Sequence, residues 1–459
     1  MTTSFNGMVN KHGMYSNKII MAPMVRIGTL PMRLLALDYG ADLVYCEELI
    51  DFKLLRTKRR INDVLGTIDY VDQTDGTIVF RTCEKEKGRV ILQMGTSDPE
   101  RALKVGKLIE NDVAGIDVNM GCPKEFSLKG GMGAALLENQ DKAVSIMENL
   151  ATNLSIPVTC KIRVMKTIEE TVQFCQRLEK TGIAAIAIHG RTKDERPQHE
   201  NRNDFLREIA KKLKVPVIAN GGSKEIENYI DIIRFKEETG CSSVMLARAA
   251  EWNCSIFRKS GKLPIDTVIR EYLKYAIDYD NAPANSKYCI QNILKELQET
   301  PLGKRFLESH TLEQISSVWD MDDYYREKQK SFRESGLLGR REVEPVMTEP
   351  RLKKQKLYNE DDVVRISCAF LRSVFPNDID LPKTKLLMWT RKSQIDQPSY
   401  DTIQEDKLFQ SVVTVNGKKY GSSYWEKNKR WAEQSAATVC LINLGLLDVD
   451  YLRKCGCLV

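Results

Sequence analysis

A cysteine held between a glycine and a proline, Gly121-Cys122-Pro123, opens onto a glycine-rich stretch within DVNMGCPKEFSLKGGMGAAL (117–136). A thiol with an ordinary pKa of about 8.5 is mostly protonated at neutral pH, so it can give up a proton without help from a metal or a histidine. The flanking residues fix the turn, and Gly130, Gly131 and Gly133 make a loop able to move over a pocket. No base lies near Cys122 in sequence, which favours a proton donor over a nucleophile. Lys161 sits inside the apolar run VTCKIR, where a bare ammonium is costly to bury and so points at a partner. A cation beneath a flavin ring would stabilise negative charge on its reduced form, and Gln93 and His189 bring hydrogen bonds of the kind that orient such a ring. Asn220-Gly221-Gly222 and Ala247-Arg248 add close-approaching backbone, helix-start amides and a guanidinium, which together hold phosphate.

These residues need elements that bring them together. Eight short apolar runs recur between residues 18 and 249: KIIMAP, DLVYCE, RVILQMG, AGIDVNMG, PVTCKIR, IAAIAIHGR, VPVIANGG and SVMLARA. Segments with helical spacing, such as 99–110, 167–178 and 225–235, separate most of them. Strands this uniformly apolar are buried on both faces, which fits a closed parallel (β/α)8 TIM barrel over residues 14–258 better than its rival, an open doubly wound sheet. Glu47, Gln93, Asn119, Lys161, His189, Asn220 and Arg248 all fall at the C-terminal ends of these runs. Closing the sheet gathers them on one rim, where barrels place their chemistry, with the phosphate site after strands seven and eight.

Beyond the barrel the pattern is wholly helical over 259–332, with Thr311 and Gln314 spaced as a capping box. Residues 333–360 are charged and lack sustained periodicity, so a flexible linker is expected. Residues 361–452 read as a unit of α-β-β-β-α order: helix 383–392, strands 398–404, 408–415 and 418–425, and helix 427–444. Asn416-Gly417 is a strong hairpin signal between the second and third strands. Lys427, Lys429 and Arg430 open the last helix, where positive charge opposes the helix dipole unless an anion such as an RNA phosphate compensates.

The chain of 459 residues is 42% hydrophobic and 29% charged, the profile of a folded soluble protein. No apolar run approaches the roughly 18 residues that cross a bilayer, and the first residues carry no hydrophobic signal core, so membrane insertion and secretion are not expected. Twelve scattered cysteines without C-x-x-C spacing argue for reduced thiols in the cytoplasm and against a metal site. Net charge is +6, and residues 351–459 hold 18 basic and 13 acidic residues, which favours a polyanionic partner for the C-terminal unit. A monomer is expected.

MAPMVRIGTLPMR (21–33), QMGTSDPERA (93–102), DVNMGCPK (117–124), CKIR (160–163), IHGR (188–191), IANGG (218–222) and MLARA (245–249) closely resemble the tRNA-dihydrouridine synthases. The C-terminal unit resembles a double-stranded RNA-binding domain, and the combination resembles the eukaryotic subfamily that modifies position 20 of the D-loop. The resemblance implies a barrel carrying flavin mononucleotide (FMN), a helical tRNA-binding domain, and reduction of the uracil 5,6 double bond with NADPH. It also implies that Pro23, Met24, Gln93, Lys161, His189, Asn220, Gly221, Gly222, Ala247 and Arg248 hold FMN, that Asn119 and Arg163 hold the uracil, and that Cys122 donates the proton. The Gly-Pro loop usual in the RNA-binding domain is replaced by Asn416-Gly417-Lys418-Lys419, so phosphate contacts around a folded tRNA are expected rather than generic duplex binding. One rival is an FMN-dependent oxidoreductase of a free pyrimidine or other small metabolite; another is a silent RNA-binding protein with a relic barrel.

Overall fold

The computed structural model describes residues 12–337 and 362–458, apart from Pro197, Ser223, Asp406, Lys407, Lys427 and Gly456. Eight strands match the eight apolar runs: β1 (Ile19–Met21), β2 (Leu43–Tyr45), β3 (Val90–Gly95), β4 (Gly115–Met120), β5 (Val158–Arg163), β6 (Ala185–His189), β7 (Val217–Asn220) and β8 (Ser243–Leu246). Each pairs in parallel with the next, β8 pairs with β1, and β2 pairs with β3 through Val44↔Val90 and Tyr45↔Ile91. The sheet has no free edge: it is a closed (β/α)8 barrel.

The inward face is set by the two-residue period of the strands. Ile20, Tyr45, Ile91, Ala185, Ala187, Ile218 and Met245 pack together as the barrel's interior, with Tyr15 from the preceding turn joining them fully buried. Two residues further along the same faces come Gln93, His189, Asn220 and Ala247. The apolar filling and the polar rim are thus successive layers of one alternation.

Helices between the strands carry their own stop and start signals. Asp98 caps Pro99–Ile109 by accepting from the Arg101 amide (2.8 Å), and Thr167 with Glu170 forms a capping box on Ile168–Glu179. The helix expected over 225–235 instead begins at Tyr229 behind Asn228 and runs to Thr239. Between β2 and β3 the chain forms a three-stranded sheet, Thr57–Asn62, Thr67–Asp72 and Ile78–Cys83, that the sequence reading did not anticipate.

Five α-helices follow the barrel: Ile265–Asp278, Pro283–Leu294, Pro301–Glu308, Leu312–Val318 and Asp322–Glu334. Val268, Tyr272, Ile293 and Phe306 are fully buried among them, Thr311 and Gln314 form the anticipated capping box, and Asn285 holds the barrel rim through Thr29 Oγ1 (3.0 Å) and the Arg26 carbonyl (2.5 Å). Most of the segment expected to be a linker lies outside the described residues.

Chain contacts divide the molecule into two compact units, one of residues up to Leu55, Ile61–Asp69 and Phe80–Lys328, the other of Arg56–Arg60, Tyr70–Val79 and Gln329 onward. The second contains helix Pro382–Lys392, strands β10 (Ser399–Glu405), β11 (Leu408–Val415) and β12 (Lys418–Ser422), and helix Lys429–Asn443. Asn416 (φ 47°) and Gly417 (φ 75°) make the hairpin turn in the left-handed region that this pair favours. Two readings are corrected: the third strand ends at Ser422 rather than 425, and a further strand, β9 (Val363–Ile366), lies parallel to β12. Leu386, Val413, Ala436 and Cys440 are at the centre of this unit's core.

Candidate active site

At the barrel's C-terminal rim, strand register sets Gln93 beside Asp117, Asn119 beside Lys161, and His189 between Arg163 and Asn220. Asp117 is fully buried and accepts from Thr159 Oγ1 (2.7 Å) and Gln93 Nε2 (2.8 Å). Those two bonds fix the Gln93 amide with its oxygen toward Asn119 Nδ2 (3.4 Å). Burial pushes the Asp117 carboxyl up to about 6 even with Lys161 nearby.

The turn that carries Cys122 is clamped from two sides. Asn119 Oδ1 accepts from the amides of Gly121 (2.9 Å) and Cys122 (3.0 Å), while Arg163 Nε donates to the Gly121 carbonyl (2.8 Å) and its Nη1 to Thr192 (2.9 Å). The Cys122 carbonyl accepts from Ala134 (3.0 Å). Gly133, at φ 57°, makes that approach possible, since a Cβ there would lie 2.7 Å from the Cys122 oxygen and 2.4 Å from Ser127 Oγ. Cys122 is half-buried whereas most of the other cysteines are fully buried. Burial raises its thiol pKa, and the Glu48 carboxylate adds to the rise. The thiol is therefore held protonated at neutral pH, the state of a proton donor.

Lys161 reaches the rim without a hydrogen bond or ion pair among the described residues, and burial, reinforced by Arg163, pulls its pKa down to about 8. Burial also holds His189 well below the usual imidazole range, and Lys161, Arg163, Arg191 and Arg248 each press it further down. The imidazole is neutral. Four cations thus act on this imidazole, with Glu195 and Glu225 beside Arg191.

Beside this cluster, Gly221 adopts φ 122°, and a Cβ there would meet Asn201 Oδ1 at 2.0 Å and His189 Cδ2 at 2.8 Å; one on Gly222 would meet the Phe235 ring at 2.6 Å. Buried Arg191 braces the loop by donating to the Gly221 carbonyl (2.7 Å), and Asn220 Nδ2 ties β7 to β8 at the Met245 carbonyl (2.8 Å). Ala247 and exposed Arg248 begin the helix after β8. Pro23 and Met24 form the turn after β1, where the Met24 carbonyl accepts from Ile27 and Gly28. An unengaged ammonium, an amide and an imidazole on the inner face, with glycine backbone and guanidinium at one edge, suit a planar group that carries phosphate.

Asp117, Arg191 and Glu48 were missed as site residues. The two-residue period marks Asp117, two positions before Asn119 on the same face; Arg191 lies just beyond the end of β6, where that period gives no guide. In the C-terminal unit Lys429 and Arg430 are exposed on the first turn of a helix capped by Asn428, and Lys427 lies outside the described residues.

Residues 20–328 match the profile of the dihydrouridine synthase (Dus) family, which is well over half of the chain. The chain belongs to the dihydrouridine synthase family. Residues 382–444 match the double-stranded RNA binding motif. Among similar proteins, the chain is 43% identical over 318 residues to the tRNA-dihydrouridine(20) synthase [NAD(P)+] of Schizosaccharomyces pombe, covering 67% of this chain and 66% of that one. It is 36% identical over 298 residues to the protein of the same description from Saccharomyces cerevisiae, covering 61% of this chain and 78% of that one. A crystal structure of a tRNA-dihydrouridine(20) synthase dsRBD domain is 45% identical, covering 18% of this chain and 92% of that one, with a TM-score of 0.18. Among the described residues no helix is long and apolar enough to cross a membrane, and no group of three or more His, Cys, Asp or Glu could hold a metal ion.

Proposed function

We propose that the chain is a tRNA-dihydrouridine synthase that reduces the 5,6 double bond of a D-loop uridine, position 20, with NADPH as electron donor and FMN as its resident cofactor. Family membership and the descriptions of the two yeast relatives support the reaction and the position, and the RNA binding motif supports a tRNA substrate. The observation that carries the reading is the meeting on one rim of an unengaged Lys161, a neutral His189 and a protonated thiol on a clamped turn.

Gln93, Lys161 and His189 would hold the flavin ring, Asn220, Gly221, Gly222, Ala247 and Arg248 its phosphate, with Pro23 and Met24 completing the wall. When bound, the flavin supplies hydride to C6 of the uracil. Cys122 gives its proton to C5, so the double bond gains one hydrogen from each side. Asn119 and Arg163, which clamp the Cys122 turn, would face the uracil as well, fixing base and acid to the same two side chains. The uridine must leave its stack to reach this rim, at a cost on the order of a few kcal/mol that is least for a loop nucleotide. Lys427, Lys429 and Arg430 would grip tRNA phosphates. The domains in this reading are a catalytic barrel (14–258), a helical tRNA-binding region (259–332), a linker (333–360) and a double-stranded RNA-binding domain (361–452), acting in the cytoplasm.

The rival reading, reduction of a free pyrimidine, uses the same barrel site and leaves the RNA binding motif without a purpose. Full-length protein with NADPH is expected to form dihydrouridine at position 20 of an unmodified tRNA, mapped by mass spectrometry, and to leave free uridine unreduced. Comparable turnover of free uridine, or no product in tRNA, would overturn the proposal.

A further inference from the structure

Glu48 stands three residues past β2, on the rim that carries Gln93, Asn119 and Cys122. The chain beside it continues the barrel ladder, with Leu49 and Ile50 paired to Met94 and Gly95 of β3. Gly95 leaves the carboxyl its room: a Cβ there would lie 2.7 Å from Glu48 Oε1. The carboxyl faces the Cys122 thiol and the Asn119 amide, within reach of both, and Lys124 is the cation beside it. Its Oε1 is nevertheless sealed from solvent without a well-aligned hydrogen bond, while the residue as a whole is half-buried. A carboxylate in that position is under-solvated and gains by holding a proton, and burial accordingly raises the Glu48 pKa. Around the thiol the charged groups are Glu48 and Lys124, with Lys161 and Arg163 from β5, and Ser127 offers a hydroxyl.

We infer that Glu48 is a proton relay that restores the Cys122 thiol between turnovers. The inference rests on Cys122 as the acid of the proposed reaction. When Cys122 protonates C5, its S–H bond breaks, a C–H bond forms, and sulfur is left as thiolate beside a carboxyl that other side chains do not fully engage. The Glu48 O–H bond then breaks as S–H reforms, and the resulting carboxylate takes a proton from water through its half-open side. No electrons move in this exchange, and the net change is one proton drawn from solvent per dihydrouridine. The turn clamped by Asn119 and Arg163 holds the thiol beside this carboxyl through the cycle, so the fixed carboxyl is a proton source already in place.

Two readouts test this in the full-length, flavin-loaded protein. The first is the pH dependence of Cys122 alkylation by iodoacetamide, followed on the Cys122 peptide by mass spectrometry. In Glu48→Gln the midpoint is expected to move down by roughly one unit, because a carboxylate no longer opposes the thiolate; an unmoved midpoint overturns the inference. The second is the time course of dihydrouridine formation by pre-reduced enzyme mixed with unmodified tRNA and excess NADPH. Glu48→Gln is expected to give one equivalent at the wild-type rate and then a steady state slowed roughly tenfold or more. An unchanged steady state, or an equally slowed first turnover, overturns the relay. Glu48→Asp, which keeps a carboxyl, is expected to recover part of both effects, and it carries the test should the Gln variant not fold. Wild-type product formation by Cys122→Ala would instead sink the acid assignment itself, a failure distinct from an unmoved alkylation midpoint.

Discussion

Lys161 is a rim cation whose ionisation the fold brings near neutrality, at about 8. The cationic form is the one that attracts an anionic, phosphate-bearing ligand, so raising the pH through about 8 discharges it and weakens binding, and binding at or above that pH draws a proton onto it. His189 is held neutral across this range and contributes no slope. Flavin affinity measured by fluorescence quenching is therefore expected to fall from about pH 7 to about pH 9, and Lys161→Met is expected to bind more weakly with the slope gone. A slope that survives the substitution would show that another group titrates. Asp117 belongs to the same scale: its two accepted bonds orient Gln93, and Asp117→Asn places an amide N–H against at least one of two buried donors. A loss of about 1–3 kcal/mol in unfolding free energy is expected, measured by chemical denaturation, together with lower flavin content. A variant as stable as the parent would show that the bonds at Asp117 do not set the floor of the site.

The eight barrel strands were legible as elements because both faces of each are buried, which leaves an uninterrupted apolar run, and the same alternation pointed to most of the rim residues. What was hidden was hidden for physical reasons. Thr57–Asn62 carries Lys58, Arg59 and Arg60 on a strand with exposed positions, so it lacks the apolar run that marked the others. Strand β9 has four residues and pairs in parallel with a strand some fifty positions away, a contact that no local pattern encodes. Glu48 and Arg191 escaped notice because a charge just past an apolar run reads as a strand boundary until register shows what it faces, and Asp117 lies inside the run AGIDVNMG, where the two-residue period marks it only once Asn119 is placed on the same face. The segment behind β7 reads as helix from residue 225, yet the helix starts at Tyr229, once Asn228 supplies its cap. The Cys122 loop is where an element-scale change separates binding from chemistry. Gly133→Ala forces an L-residue into φ 57° and drives a methyl toward the Cys122 carbonyl and Ser127. Normal flavin content with dihydrouridine formation reduced at least roughly tenfold is expected; full activity would show that the turn tolerates displacement.

Two units, each with its own core, share the work in this account: a barrel that presents a positive rim, and a domain that exposes Lys429 and Arg430 at the start of its last helix. Phosphate contacts of this kind add affinity without choosing a base, so Lys429→Ala and Arg430→Ala are expected to weaken tRNA binding and to flatten its dependence on salt by roughly one contact each, leaving flavin content unchanged. A steep salt dependence that persists in the double variant would place the electrostatic grip elsewhere. In the proposed reaction the barrel rim, with Cys122 as its acid, reduces a uridine delivered by tRNA. The most direct test is to follow dihydrouridine formation in unmodified tRNA by full-length Cys122→Ala with NADPH, its flavin content measured alongside. Full flavin occupancy and reduction of that bound flavin by one equivalent of NADPH are expected, with product lowered at least about a hundredfold. Product formation at the parent's rate would contradict Cys122 as the acid.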